Sequence, residues 1–174
     1  MDLIKNGTII INNNKYKYKI FDTNGLIDII RHKKKFCDLF LDAIRKYRNT
    51  PHFFDIFQLV REYITYRPDS ELVYFIIYKK GEIVSMLRFY YYIKKSYGYF
   101  NQVYTNPKFR GQGICQNMVK FIVESSKKYI KKYELSVVEN NIPAIKCYEK
   151  VGFKYIRKVT FSQSSSNLMR LIIK

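Results

Sequence analysis

The 174-residue sequence has no tryptophan, two histidines, three cysteines and four prolines, and its 14 acidic side chains face 32 basic ones. Each scarcity excludes something. Cys37, Cys115 and Cys147 are odd in number and widely spaced, and with only His32 and His52 beside them they suggest neither a disulfide scaffold nor a zinc module. No metal site is expected. No apolar run approaches the roughly 20 residues that cross a bilayer, and the stretch from Met1 to Gly7 lacks the basic and apolar regions of a signal peptide. An intracellular, cytoplasmic protein without membrane attachment is therefore expected.

What is present is material for one core: 47% hydrophobic and 17% aromatic residues argue against global disorder, and the length suits one domain over residues 1–174. The net charge of +18 calls for an anionic partner or a tolerant solvent. Ile, Lys, Tyr, Phe and Asn make up 88 of the 174 residues, so a bias toward A and T in the codons accounts for part of the lysine. The charge is still uneven. Residues 1–70 hold 13 basic and 8 acidic groups, whereas residues 71–174 hold 19 and 6, which places any bound anion in the C-terminal part.

Periodicity gives the element order. Lys15 to Phe21 alternates basic with aromatic or aliphatic side chains, as an edge strand with one wet face does. Apolar positions at helical spacing predict a helix over about 26–47 and a second one opened by Thr50-Pro51 and closed before Pro68. Leu72 to Tyr78 is continuously apolar, like a strand buried on both faces, and Lys79 to Glu82 turns it into a strand reaching about Ile93. Tyr99 to Thr105 makes a third consecutive antiparallel strand. A helix follows, with Ile114, Met118, Phe121, Ile122 and Ser125 as its buried stripe. Tyr133 to Val138 returns as a strand, Pro143 to about Lys150 as a helix ended by Gly152, and Phe153–Phe161 with Leu168–Ile173 as a hairpin around a Ser-rich loop.

The segment that carries chemistry joins strand, glycine turn and helix: Val103-Tyr104-Thr105-Asn106-Pro107-Lys108-Phe109-Arg110-Gly111-Gln112-Gly113-Ile114-Cys115. Glycines allow close backbone approach, and the free N–H groups of a helix start attract phosphate. Alone, Gly-x-Gly before a helix serves equally as a tight turn, and it matches neither the dinucleotide fingerprint nor a Walker A loop. Further along stands Asn141-Ile142-Pro143-Ala144-Ile145-Lys146-Cys147-Tyr148-Glu149-Lys150-Val151-Gly152-Phe153.

The pair of segments resembles the GNAT superfamily of acetyl-CoA-dependent N-acetyltransferases, specifically from about residue 71 to 156. The resemblance implies an α/β (α+β) domain with a mixed, mostly antiparallel sheet of about seven strands and helices on both faces. It implies that Arg110, Gly111, Gln112, Gly113, Ile114 and Cys115 give backbone amides to the pyrophosphate of acetyl-CoA, and that Val103 and Thr105 bond the pantetheine arm. An amide near Val103 or Tyr104 would polarise the thioester carbonyl. Asn141 and Ala144 would complete the cofactor contacts, and Tyr148 would protonate the departing thiolate. The reaction implied is direct attack by a primary amine in a ternary complex.

Two features depart from the family pattern. Cys115 stands where Gly or Ala is usual, either as a small residue that fits or as a thiol whose pKa falls at a helix N-terminus. The strand from Tyr99 to Tyr104 lacks the glutamate that some members use as base, leaving a water relay or Glu139. Cys37 and Cys147 read as packing residues. Two other functions stay open: a basic nucleic-acid-binding module, since Lys and Tyr interleave in Lys15–Lys19 and Phe89–Lys95, and a GNAT-like domain that binds acyl-CoA without turnover.

Overall fold

The computed structural model describes residues 6–21, 71–161 and 164–174. The helices expected over about 26–47 and 51–67, with His32, Cys37 and His52, lie outside the described residues. The chain runs β1 (Asn6–Ile11), β2 (Asn14–Phe21), β3 (Glu71–Lys79), β4 (Glu82–Tyr92), β5 (Tyr97–Thr105), α1 (Ile114–Ser126), β6 (Lys132–Val138), α2 (Ile142–Val151), β7 (Lys154–Phe161) and β8 (Ser164–Ile172). The strands form one eight-stranded sheet in the order β1-β2-β3-β4-β5-β6-β8-β7. All neighbours are antiparallel except β5 and β6, which are joined through α1 and run parallel.

The alternation in β2 is realised, with Tyr16, Tyr18 and Ile20 buried and the intervening lysines exposed. Its edge position is corrected, because β1 takes the edge: Asn12 and Asn13 both adopt positive φ and turn β1 directly into β2. In β3 the residues Leu72 to Ile77 are all buried, as the unbroken apolar run requires. The core that α1 closes contains Val73, Phe75, Leu87, Phe89, Phe100 and Tyr133 with Met118 and Ile122.

Two further expectations change. The buried polar position of α1 is Ser126, not Ser125, because Ser126 Oγ bonds the Ile122 carbonyl at 2.6 Å and the Tyr133 hydroxyl at 2.8 Å. Ser125 faces solvent. Ser164 to Asn167, expected as loop, belong to β8, where β7 pairs with all four and β6 with Ser166 and Asn167 from the other side. A strand position between two partners satisfies every backbone group, which outweighs the poor strand preference of serine and asparagine. No described helix is long and apolar enough to cross a membrane.

Candidate functional site

The parallel strands β5 and β6 pair only from Tyr97 with Lys132 to Phe100 with Leu135. Past that step they part. Arg88 and Met86 of β4 face Asn101 and Tyr104 of β5, so three steps of β5 match two of β4, and Gln102 accommodates the extra residue with a φ of 48°. β6 keeps its register with β8 as far as Val138 opposite Ser166. The two strands are thus held by different neighbours, and a cavity of about 700 Å³ opens between Asn101–Thr105 and Ser136–Val138. The loop from Phe109, the first turn of α1 and one side of α2 complete its wall.

The start of α1 faces this cavity, and among the described residues nothing caps its first amides. Gly113 is the N-cap, at a φ of 72°, and supplies no capping side chain. The first amide to bond back is Asn117 N–H, to the Gly113 carbonyl at 3.0 Å, so the amides of Ile114, Cys115 and Gln116 have no partner within the helix. Gly111 has a φ of 77°, and a Cβ there would touch nothing within 4 Å. Glycine at 111 therefore provides the left-handed backbone rather than room. Arg110 from the loop and Lys146 and Lys150 from α2 add positive charge to the lining, and the Arg110 Nε–H is aimed by the Thr105 carbonyl at 3.0 Å. Amides at a helix start, the helix dipole and three cations lining one cleft suit a diphosphate, and the edge of β5 that β6 leaves uncovered suits an extended arm that bonds like a strand.

The chain matches the model of the acetyltransferase (GNAT) family over residues 34–153. It belongs to the GNAT acetyltransferase family. No curated protein matches it by sequence. Among solved structures, the GNAT domain of S. lividans PAT is similar to it over 99% of each chain, with a TM-score of 0.72 at 12% identity. The aminoglycoside acetyltransferase AAC(6')-Ib, in complex with coenzyme A and kanamycin, covers 90% of this chain and 94% of its own at a TM-score of 0.63 and 16% identity. The spermidine N-acetyltransferase from Vibrio cholerae, in complex with CoA and spermine, covers 90% and 95% at a TM-score of 0.63 and 12% identity. At these identities the likeness is one of fold.

Within this GNAT domain the residues singled out in the sequence converge, with two exceptions, Gln112 and Glu139. Val103, Tyr104, Thr105, Arg110, Gly111, Gly113, Ile114, Cys115, Asn141, Ala144 and Tyr148 all line the cavity. Gln112 does not line it and is held instead by Asn12 and Tyr16. Asn141 is the N-cap of α2, and its Oδ1 accepts from the Ala144 amide at 3.4 Å. Tyr148, 7% exposed, packs edge-on against Phe153 and turns its other side to the cleft. Burial, reinforced by nearby Tyr99, pushes its hydroxyl above the ordinary tyrosine range, so the proton stays on oxygen. Glu139 stands apart: it does not line the cavity, and its carboxylate pairs with Lys158 at 2.9 Å on the exposed side of the sheet.

The structure also brings together residues that sequence reading left separate. Asn12 Nδ2 donates to the Gln112 carbonyl at 3.0 Å, and the buried Tyr16 hydroxyl donates to Gln112 Oε1 at 3.2 Å. The β1–β2 turn thereby braces the glycine loop from 100 positions away. Arg88, fully buried on β4, donates to Gln102 Oε1 and so anchors the bulge that opens the cleft. The expectation of unbonded cysteines is corrected: Cys115 and Cys147 form a disulfide, because α1 and α2 bring their Cα atoms to 6.5 Å. The lone signal for it was that both cysteines flank motifs of one site.

Proposed function

We propose that this GNAT protein transfers the acetyl group of acetyl-CoA to a primary amine. The observation that carries the reading is the parting of β5 from β6 beside a helix start with no side-chain cap, with Tyr148 of α2 lining the same cavity. In this reading the amides of Gly113 to Gln116, with Arg110, Lys146 and Lys150, hold the diphosphate. The unpaired edge of β5 from Asn101 to Thr105 bonds the pantetheine amides, and a backbone N–H near Val103 or Tyr104 polarises the thioester carbonyl.

The amine attacks as its neutral form, and its lone pair forms the new C–N bond while the carbonyl electrons move to oxygen. Collapse of that intermediate breaks the C–S bond, and Tyr148 gives its proton to the departing sulfur. The attacking nitrogen loses a proton in exchange. In this reading a water relay takes that proton, since Glu139 pairs with Lys158 and does not line the cavity.

The acceptor is an amine of unassigned identity; kanamycin and spermine accompany two of the structural neighbours, and both are polyamines. The nucleic-acid reading loses part of its support, since Tyr16, Tyr18, Phe89 and Tyr91 of the interleaved segments are buried, while Tyr90 and Tyr92 are half-buried and the net charge of +18 stands. Thermal unfolding tests the cofactor site: at a concentration 100 times Kd, acetyl-CoA is expected to stabilise the fold by about 2.7 kcal/mol, with pyrophosphate and ATP giving less. Equal shifts from every anion would overturn it. Acetyl-CoA binding without product across a broad amine panel would favour a non-catalytic acyl-CoA binder.

A further inference from the structure

We propose that Cys115 and Cys147 are a thiol–disulfide site that controls access of acetyl-CoA to the cleft, with a dithiol as the reductant. The inference rests on reading the cleft as the acetyl-CoA site. Both cysteines are half-buried and line the cavity, so a reagent entering the cleft reaches the bridge, and a ligand filling the cleft covers it. The bridge spans 32 positions and joins the two elements that carry the chemistry. Cys115 is the second residue of α1, among the free amides. Cys147 immediately precedes Tyr148 on α2.

Nothing in the sheet duplicates this tie. The β5–β6 ladder ends at Phe100 and Leu135, so beyond that point the walls of the cleft share no strand pairing. Opening the bridge removes the covalent limit on how far α1 and α2 can separate. It also creates a sulfur anion where the ligand's own charge belongs. A thiolate at Cys115 is stabilised by the start of α1, with Arg110 on the same wall, and it competes with a diphosphate for those amides.

The same stabilisation makes Cys115 the better leaving group, which sets the order of events. A thiolate of the dithiol attacks Cys147 Sγ, and the Cys115–Cys147 bond breaks to release Cys115 as thiolate. The second thiol of the reagent then attacks its own sulfur in the mixed disulfide and frees Cys147. Two electrons pass to the protein, the reagent leaves as a cyclic disulfide, and its two protons are shared between the two cysteines and solvent. Linkage requires that acetyl-CoA favour the bridged form by the same factor that the bridge favours acetyl-CoA.

The test uses the full chain with Cys37→Ser, so that this pair alone reports. Maleimide labelling after denaturation without reductant counts free thiols, and titration calorimetry with acetyl-CoA is run before and after dithiothreitol treatment. The expected result is no free thiol before reduction and two after it, a five- to tenfold loss of affinity on reduction, and slower reduction when acetyl-CoA is present. A Cys115→Ser, Cys147→Ser variant, which lacks both the tie and the thiolate, should bind with an affinity between those of the bridged and reduced forms and ignore dithiothreitol; if it does not fold, the reversible titration of the parent decides alone. Two free thiols in the oxidised protein, or equal affinity in both states, would overturn the proposal. If neither state bound acetyl-CoA, the cofactor reading would fall and the coupling with it, while the thiol count would still show whether the bridge forms.

Discussion

Removing one oxygen, by Tyr148→Phe, separates the proposed chemistry from folding. The Tyr148 ring is buried against Phe153, and phenylalanine preserves that packing. Burial and Tyr99 raise the pKa of the hydroxyl, and among the described residues none bonds it, so its loss leaves no described partner unsatisfied. Unfolding should therefore shift by no more than about 0.5 kcal/mol, the range of substitutions that break nothing. A positioned proton donor contributes roughly 10²- to 10⁴-fold in rate, which is about 3–5 kcal/mol of barrier. That loss should fall on kcat, with KM for acetyl-CoA unchanged, measured by chromatography of the acetylated product of whichever amine the panel yields. The pH profile adds a second check. Because the Tyr148 proton is held above its ordinary range near 10, the wild-type rate should climb as the acceptor amine loses its proton, with no downturn below about pH 10. A variant retaining more than about a third of the wild-type kcat would refute the assignment of Tyr148 as the acid.

Gly98→Ala should destabilise the fold by about 1–3 kcal/mol and lower Tm by roughly 3–10 °C. The new Cβ would sit 2.5 Å from Phe89 Cζ, and Phe89 is held by Phe100 and Tyr133; calorimetry finding no change would show that the ring can yield. Asn12→Ala with Tyr16→Phe removes both bonds to Gln112, each worth about 0.5–1.5 kcal/mol. Acetyl-CoA affinity should drop at least about threefold, and unchanged affinity by titration would mean that the loop holds its shape unaided. Stability should be flat up to about pH 10 and fall between about 10 and 12, because burial pushes Tyr78 and Tyr133 up to about 12. In that window the unfolded chain releases protons that the folded one retains, so each group favours unfolding as pH rises. Urea midpoints independent of pH across the window would contradict this.

Local signals in the sequence determined a good deal. The apolar run of β3, the alternation of β2, the glycine loop before α1 and the Asn141–Phe153 segment each specify their structure within a few residues, because burial period, positive φ and helix capping act over short distances. They were enough to reveal the family and nearly all of the cleft's wall. β1 escaped notice although Asn12-Asn13 is a hairpin turn, since its pattern is short and its faces are mostly exposed. The Ser-rich start of β8 could not be recognised either, because its strand state is conferred by β6 and β7 rather than by its own residues.

Tertiary structure alone decided the rest. How far β5 and β6 pair before they part depends on a bulge matched against β4, and Gln102 gives no hint of it in sequence. The pairing of Asn12 and Tyr16 with Gln112, the exclusion of Glu139 from the cleft and the Cys115–Cys147 bond are contacts between distant segments. Composition and periodicity report which residues are buried and in what local state, but which side chains meet across 30 or 100 positions is fixed only when the sheet order and the helix packing are.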